Sequence, residues 1–407
     1  MIDVRAARSD PDGFRGALAR KGAAEPFDAF LEADRDWLAL VPQADELRAK
    51  TKLKGKPTPE QLEELKGVKA ELQRVEDALA EAAARRDELL VQIPNPPDAS
   101  APDGANEDDA EELRRVGEPP AFSFEPRDHL ELAPIDMERA ARVSGSRFAY
   151  RIGDAALLEL ALYRFALDRV VAAGFTPVLP PVLVREEPMY GTGFLPTDEV
   201  NIYRTERDDL YLTGTSEVAL AAFHMGEILD ADALPLHYAG YSTCFRREAG
   251  AAGKDTRGMF RVHQFDKVEM FVFCRPDASL TEHERLLEIE ESIVGELGLP
   301  YRVVNVAAGD LGAPATKKYD IEAWFPSQGR YREVTSTSNT TDFQARRLEI
   351  RFRGEHGVEP VHTLNGTAVT ARHMLAILEN FQDEAGDVSV PEVLVPFGAP
   401  ARVGPSA

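Results

Sequence analysis

Two consecutive stretches carry apolar residues at alternating spacings of four and three, and this rhythm constrains the first quarter of the chain more than any other feature. Ala33, Trp37, Leu40, Ala44, Leu47 and Thr51 form one series. Leu65, Val68, Leu72, Val75, Leu79 and Ala82 form the next, which runs on to about Leu89. Each series is an a/d seam on one helix, and a seam has to be covered by another. Between them lies "KGKPTPEQ", where Gly55, Pro57 and Pro59 mark a turn. So short a connection predicts an antiparallel helical hairpin. Pro42 falls inside the first helix, where its missing N–H predicts a kink or a local interruption. A long helical pair that does nothing but dimerise would satisfy the same rhythm.

The turn gathers Arg48, Lys50, Lys52, Lys54 and Lys56 with no acid between them in sequence, on an arm otherwise rich in Glu and Asp. A solvated charge run would look like this, and so would a tip that seeks a phosphate backbone. The whole chain has a net charge of -23, from 47 Lys and Arg against 70 Asp and Glu. That balance argues against a general nucleic-acid coat and against a DNA partner, so any nucleic acid must be met by local basic patches.

"IPNPPDASAPDGANEDDAEE" is poor in apolar residues and reads as a linker that ends the arm, dividing the chain at residues 1–105 and 106–407. Beyond Phe122 strand-like stretches recur: "GFTPVLPPVLV", "LPLHYAGYSTCFRRE", "RVHQFDKVEMFVFC", "YRVVNVAAG", "KYDIEAWFP", "RYREVTSTSNTTDFQARRLEIRFR" and "VHTLNGTAV". Helical patterns occur only at about 154–173, 282–297 and 372–381. Strands that follow one another without crossover helices predict an α+β fold, with a mostly antiparallel sheet flanked by helices. The two cysteines, Cys244 and Cys274, form no CxxC pair, which excludes a disulfide framework and points to a reducing cytoplasm. "MIDVRAARSDPDGF" has no apolar h-region and no apolar run approaches 18 residues, so neither export nor membrane insertion is expected.

The chemistry concentrates in "FRREAGAAGKDTRGMFRVHQFDKVE", where an acidic protein places Arg246, Arg247, Lys254, Arg257, Arg261 and Lys267 close together. Neither GxxxxGK[ST] nor a GxGxxG after a strand occurs, so a nucleotide would be held another way. The stretch reads as a hairpin with guanidinium forks at its open end, suited to phosphates and carboxylates. Phe265 shares the face of Arg261 by period two, which sets a ring for a base beside a cation for phosphates. An ion-paired hairpin surface is the alternative. In "TGTSE", Thr215 or Ser216 can cap a helix that Glu217 begins. Glu269 alternates with Lys267 and is expected to face inward as an unpaired acid. "YREVTSTS" puts Glu333, Thr335 and Thr337 on one strand face and Val334, Ser336 and Ser338 on the other, and hard oxygens of this kind suit Mg²⁺. "TLNGTAVTARHMLAILEN" reads as a strand, a turn and a helix with Arg372 in its first turn.

Together these segments resemble a known family. Phe245-Arg246-Arg247-Glu248 with its loop and "RVHQFDKVE" resembles motif 2 of the class II aminoacyl-tRNA synthetases. "GFTPVLPPVLV" with Pro181 resembles motif 1, and "LNGTAVTAR" resembles motif 3. "TGTSE", "YREVTSTSN" and "HTLNGT" are similar to segments of the seryl-tRNA synthetase family, as is the order of hairpin first and catalytic domain second.

The resemblance implies activation of L-serine with ATP, then transfer of serine to tRNA(Ser), and to tRNA(Sec) where present, by a cytoplasmic homodimer. It implies a catalytic set of Arg246, Glu248, Arg261 and Arg372. Arg246 would meet the α-phosphate and the serine carboxylate, Glu248 the adenosine side and Arg261 the terminal phosphates, with Arg247 in the same ATP set. Phe265 and Arg372 would sandwich adenine, helped by the main chain at Val262. Glu333 and Ser336 would carry Mg²⁺, flanked by Val334 and Thr335. Thr215, Ser216 and Glu217 would form the amino-group pocket, and Glu269 and Thr367 would read the serine hydroxyl. Lys254, Arg257 and the five tip cations would meet tRNA.

Two readings compete with this one. Ligases that charge an acyl-carrier protein lack the long arm, and a silent RNA-binding paralogue would lack part of the catalytic set. The chain departs from the family pattern at a short "DHLELAPIDMERA" and at Pro42, both outside the catalytic motifs.

Overall fold

The computed structural model describes residues 1–52, 58–249, 257–355 and 357–405. The chain forms two compact units, Met1–Pro96 and Pro97–Ala407. The division expected at 105/106 therefore falls earlier. Residues after Pro97 already bond within the second unit: the Asp98 N–H donates to the Thr316 carbonyl, and the Asn305 amide donates to that of Ser100.

In the first unit, two short helices, α1 (Val4–Ser9) and α2 (Pro11–Ala19), precede the long α3 (Ala24–Lys50) and α4 (Pro59–Leu90). Asp3 and Asp10 cap the short helices, and Thr58 with Gln61 makes a reciprocal capping box at α4. Ala33, Ala44 and Leu47 on the α3 seam are buried, and Leu65, Val68, Leu72, Val75, Leu79 and Ala82 on α4 are half-buried, as a two-helix seam requires. Ion pairs Asp34–Arg86 and Arg48–Glu76 join the helices in opposite chain directions. Of the two outcomes expected at Pro42, the interruption does not occur: α3 runs on through the proline, which forfeits one helical hydrogen bond without ending the helix.

In the second unit, eight strands among the described residues form the main sheet. They are β1 (Glu111–Val116), β2 (Thr176–Val178), β3 (Leu236–Phe245), β4 (Gln264–Cys274), β5 (Tyr301–Asn305), β6 (Lys317–Phe325), β7 (Arg330–Thr341) and β8 (His362–Thr370). Their order is β1-β5-β6-β7-β8-β4-β3-β2, antiparallel except for the parallel β2–β3 pair. Helices α5 (Asp154–Ala172), α6 (Glu217–Ala221), α7 (Ser279–Glu296), α8 (Phe343–Leu348) and α9 (Ala371–Asn380) accompany it. Alternation along β4 sends Val268, Met270 and Val272 into a core shared with Leu158 and Phe165 of α5 and Leu287 of α7. Phe271 and Phe273 enter a second cluster with Leu220 and Leu348, on the opposite face. Lys267 and Glu269 share the parity of Phe271, and that parity carries them into the candidate site.

Two expectations change here. β1 comes from the end of the presumed linker, and α8 interrupts "TDFQARRLEIRFR", which the sequence presents as strand.

Candidate active site

A cavity of about 410 Å³ opens over this sheet face. One end is cationic. Arg246, at the end of β3, donates from Nε to the Gly214 carbonyl at 3.1 Å, and its guanidinium lies 5.4 Å from the Phe265 ring centre. Arg261 donates to Glu248 Oε2 at 3.1 Å. It sits just before β4, which begins at Gln264, so Arg261 belongs to the loop rather than to the strand. Thr370 caps α9 by accepting from the Arg372 N–H, which fixes where Arg372 leaves the helix. The Arg372 Nη1 then lies 3.1 Å from the Glu333 carbonyl oxygen and 3.3 Å from its carboxylate. Phe265, Val262, Val334 and Thr335 also line the cavity.

A β-bulge decides how Glu333 and Ser336 relate. Thr335 pairs with Ile321 and Glu333 with Glu322, leaving Val334 without a partner. The extra residue shifts the alternation. Glu333 consequently joins Ser336 and Ser338 in lining the cavity, which Thr337 does not reach, so the expected sorting of these residues between faces is overturned. Burial pushes the Glu333 carboxyl up, but Lys318, Arg372 and the other arginines outweigh it and bring it down to about 2. An ionised carboxylate, 44% exposed and beside a serine hydroxyl on one wall, fits a hard cation that keeps its waters and shares phosphate oxygens.

The other end is small and polar. Lys267 Nζ donates to Thr215 Oγ1 at 2.7 Å and pairs closely with Glu269. Glu269 is thus not the unpaired acid expected from sequence; it also accepts from Thr367 Oγ1 at 3.4 Å. Glu217 Oε1 accepts from the Gln344 amide at 2.7 Å and the Asn365 amide at 3.0 Å. Burial first, and Glu269 second, push the Glu217 carboxyl up to about 7.

Some sequence-predicted residues stand elsewhere. Ser216 is buried against Ser242, oxygen to oxygen 2.7 Å, and does not line the cavity, because successive residues at a helix start point in different directions. Arg247 lies in the loop after β3, between Arg246 and Glu248, and is exposed. Arg257 is exposed and paired with Asp128 at 3.1 Å. On the arm, Lys52 is exposed. Arg48 and Lys50 have acidic partners in Glu76, Asp45 and Glu46 that lie a helical turn away or on the facing helix. Lys54, Lys56 and Lys254 lie outside the described residues. Sequence reasoning missed Phe260, whose ring lies 4.5 Å from the Arg372 guanidinium, and it assigned no site role to Lys267. Alternation with Phe265 and Glu269 would have found Lys267, whereas Phe260 sits in an irregular loop without periodicity.

The family model described as the seryl-tRNA synthetase N-terminal domain matches residues 1–97. That of the tRNA synthetase class II core domain (G, H, P, S and T) matches residues 200–381. The serine–tRNA ligase of Acidothermus cellulolyticus is 52% identical, over 97% of this chain and 97% of its own. The crystal structure of seryl-tRNA synthetase from Pyrococcus horikoshii complexed with ATP matches with a TM-score of 0.95 at 40% identity, covering 100% of both chains. Cytoplasmic serine–tRNA ligase from Naegleria fowleri in complex with AMP matches with a TM-score of 0.89 at 33% identity, over 98% of this chain and 96% of the other. Likeness of this depth over the full length, with the motif side chains converging on one cavity, means that the chain belongs to the seryl-tRNA synthetase family.

Proposed function

We infer that this chain is a serine–tRNA ligase, which activates L-serine with ATP to seryl-adenylate and pyrophosphate and then acylates tRNA(Ser). The observation that carries the assignment of the site is its polarity: Arg246, Arg261 and Arg372 line the same cavity as Glu217, Glu269 and Thr367. Arg261 and Arg372 are grouped by their contacts to Glu248 and Glu333, and the acidic end by the contacts among Thr215, Lys267, Glu269 and Thr367. Serine seated at the acidic end presents its ammonium to Glu217 and its hydroxyl to Glu269 and Thr367. Its carboxylate then faces the α-phosphate beside Arg246. Attack is in line, so no protein nucleophile is needed, and the arginines act by position and charge. Phe265, Phe260 and Arg372 provide flat surfaces for adenine. Glu333 and Ser336 would hold Mg²⁺, which when bound neutralises phosphate charge. A site that hydrogen-bonds the substrate hydroxyl rejects alanine, which leaves those buried groups unpaired.

The arm, with its basic tip, serves as the tRNA-binding element; Lys52 and the residues next to it offer salt-sensitive phosphate contacts. Exposed Leu157, Leu160 and Leu179, the last 81% exposed, support a homodimer built on this apolar surface. Both cysteines are free and buried, consistent with a reducing cytoplasm. Among the described residues no helix is long and apolar enough to cross a membrane.

Exchange of labelled pyrophosphate into ATP tests the reading. It should depend on serine and proceed without tRNA, and acylation should need tRNA(Ser). Exchange that is absent with serine, or equal with alanine, would refute it.

A further inference from the structure

The cavity holds a cation that none of the synthetase motifs accounts for. Lys318 on β6 stands opposite Ser338 on β7, and Asp320 opposite Ser336. Lys318 accordingly lines the cavity with Ser336, Ser338 and Glu333. Its Nζ lies 2.8 Å from Asp320 Oδ1 and 3.0 Å from Oδ2, and the side chain is 22% exposed. A purely structural role is a poor explanation. The partner is two residues away on the same strand, so the pair ties no two elements together. Glu333 has its own ion-pair partner in Arg372 at 3.3 Å, although Lys318 also helps to hold it ionised. Burial opposes a charged ammonium, yet Asp320, Glu333 and Asp310 keep it protonated. What the arrangement achieves is an ammonium fixed by Asp320 on the wall where Glu333 and Ser336 meet the cavity.

We propose that Lys318 is a further catalytic residue of the activation step, contacting the phosphate oxygens of ATP that leave as pyrophosphate. The inference rests on reading this cavity as the ATP seat. A serine carboxylate oxygen bonds to the α-phosphorus, the bond from the α-phosphorus to the bridging oxygen breaks, and its electron pair departs with pyrophosphate. No proton moves. Charge therefore builds on the leaving group, and an ammonium held by Asp320 meets it without reorganising. Asp320 acts through Lys318 and is a positioning residue.

Calorimetric titration of the full-length chain with inorganic pyrophosphate, with a chelator present and no divalent metal, tests this apart from turnover. Lys318→Met should weaken pyrophosphate binding by about tenfold, the scale of one charge-assisted contact, and leave AMP binding unchanged. Lys318→Arg should recover part of the loss. If the single variant folds poorly because Asp320 is left unpaired, Lys318→Met with Asp320→Asn removes that liability and should show the same loss. In turnover, Lys318→Met should slow exchange, raise the Mg²⁺ concentration needed for half-maximal rate and leave the KM for serine in place. Arg261→Ala serves as the reference. If it weakens pyrophosphate binding while Lys318→Met binds like the unaltered chain, the Lys318 proposal is wrong and the seat stands. If neither variant matters, or the unaltered chain binds no pyrophosphate, the seat reading falls and the proposal with it.

Discussion

Glu217 is half-buried, accepts from two amides through one carboxylate oxygen, and is pushed up to about 7 by desolvation first and Glu269 second. When it is protonated it has no charge to offer a serine ammonium. The kcat/KM for serine in pyrophosphate exchange should fall by about tenfold per pH unit below pH 7, as for a free-enzyme group that must be ionised. A profile from mildly acidic to neutral pH checks this, and a flat profile would remove Glu217 from the amino-group pocket. Arg372 predicts a second outcome: Arg372→Ala should cut exchange by about a hundredfold or more, the scale of one lost preorganised donor. Glu290 on α7 supplies a third. Both its carboxylate oxygens are buried without a hydrogen-bond partner among the described residues. Burial, then Glu269 and Asp320, hold its pKa well above 4.5. The unfolded chain releases this proton at about the ordinary value and the folded chain retains it, so its effect is to lower stability as pH rises above 4.5. Thermal melts of Glu290→Gln should lose less stability than the unaltered chain between pH 4.5 and neutrality.

At the scale of elements, the base of the arm depends on one buried acid. Arg8 grips Asp34 with two bonds of 2.7 Å, and Arg86 adds a third at 2.7 Å while lying 4.9 Å from the Trp37 ring centre. The triad ties α1, α3 and α4 together. Asp34→Ala should destabilise the first unit by roughly 3 kcal/mol, since removing one partner leaves two arginines facing each other; urea unfolding followed by tryptophan fluorescence would measure it. The helical seams were legible because a period of 3.5 survives averaging over many turns. β1 was not: its residues "EELRRV" are all exposed, so an edge strand of this kind has no alternation to read. α8 hides between two real strands and is only six residues long. In the active site, the motif residues could be recognised by type and order, but that Ser216 and Arg247 do not line the cavity could not, because adjacent residues differ in direction. The grouping of Glu333 with Ser336 was hidden for a different reason, since a bulge is a property of two strands in register.

Across the whole molecule, two separate cores separate two tasks. Phe27, Phe30, Leu90 and Ile93 belong to the core of the first unit, while the cavity residues belong wholly to the second. Replacing residues 38–82 with a short Gly/Ser linker spares that first core and the Asp34 triad. Such a protein should form seryl-adenylate at an undiminished rate and lose most charging at micromolar tRNA. Both half-reactions measured on one preparation would decide, and undiminished charging would take tRNA binding away from the arm.

The unpaired Val334 has a consequence for how this sequence can vary. It works as a phase shifter: one residue of extra length converts positions 333 and 336 from opposite sides into a common bearing. A conservative apolar exchange at 334 leaves that phase alone. Deleting the residue would remove only the bulge: Glu333 and Thr335 would become neighbours, still opposite Glu322 and Ile321, and positions 333 and 336 would keep their common bearing. The activation chemistry therefore tolerates loss of this one residue in register, and is exposed instead to a residue added between 333 and 336, which would turn Glu333 to the other face of β7.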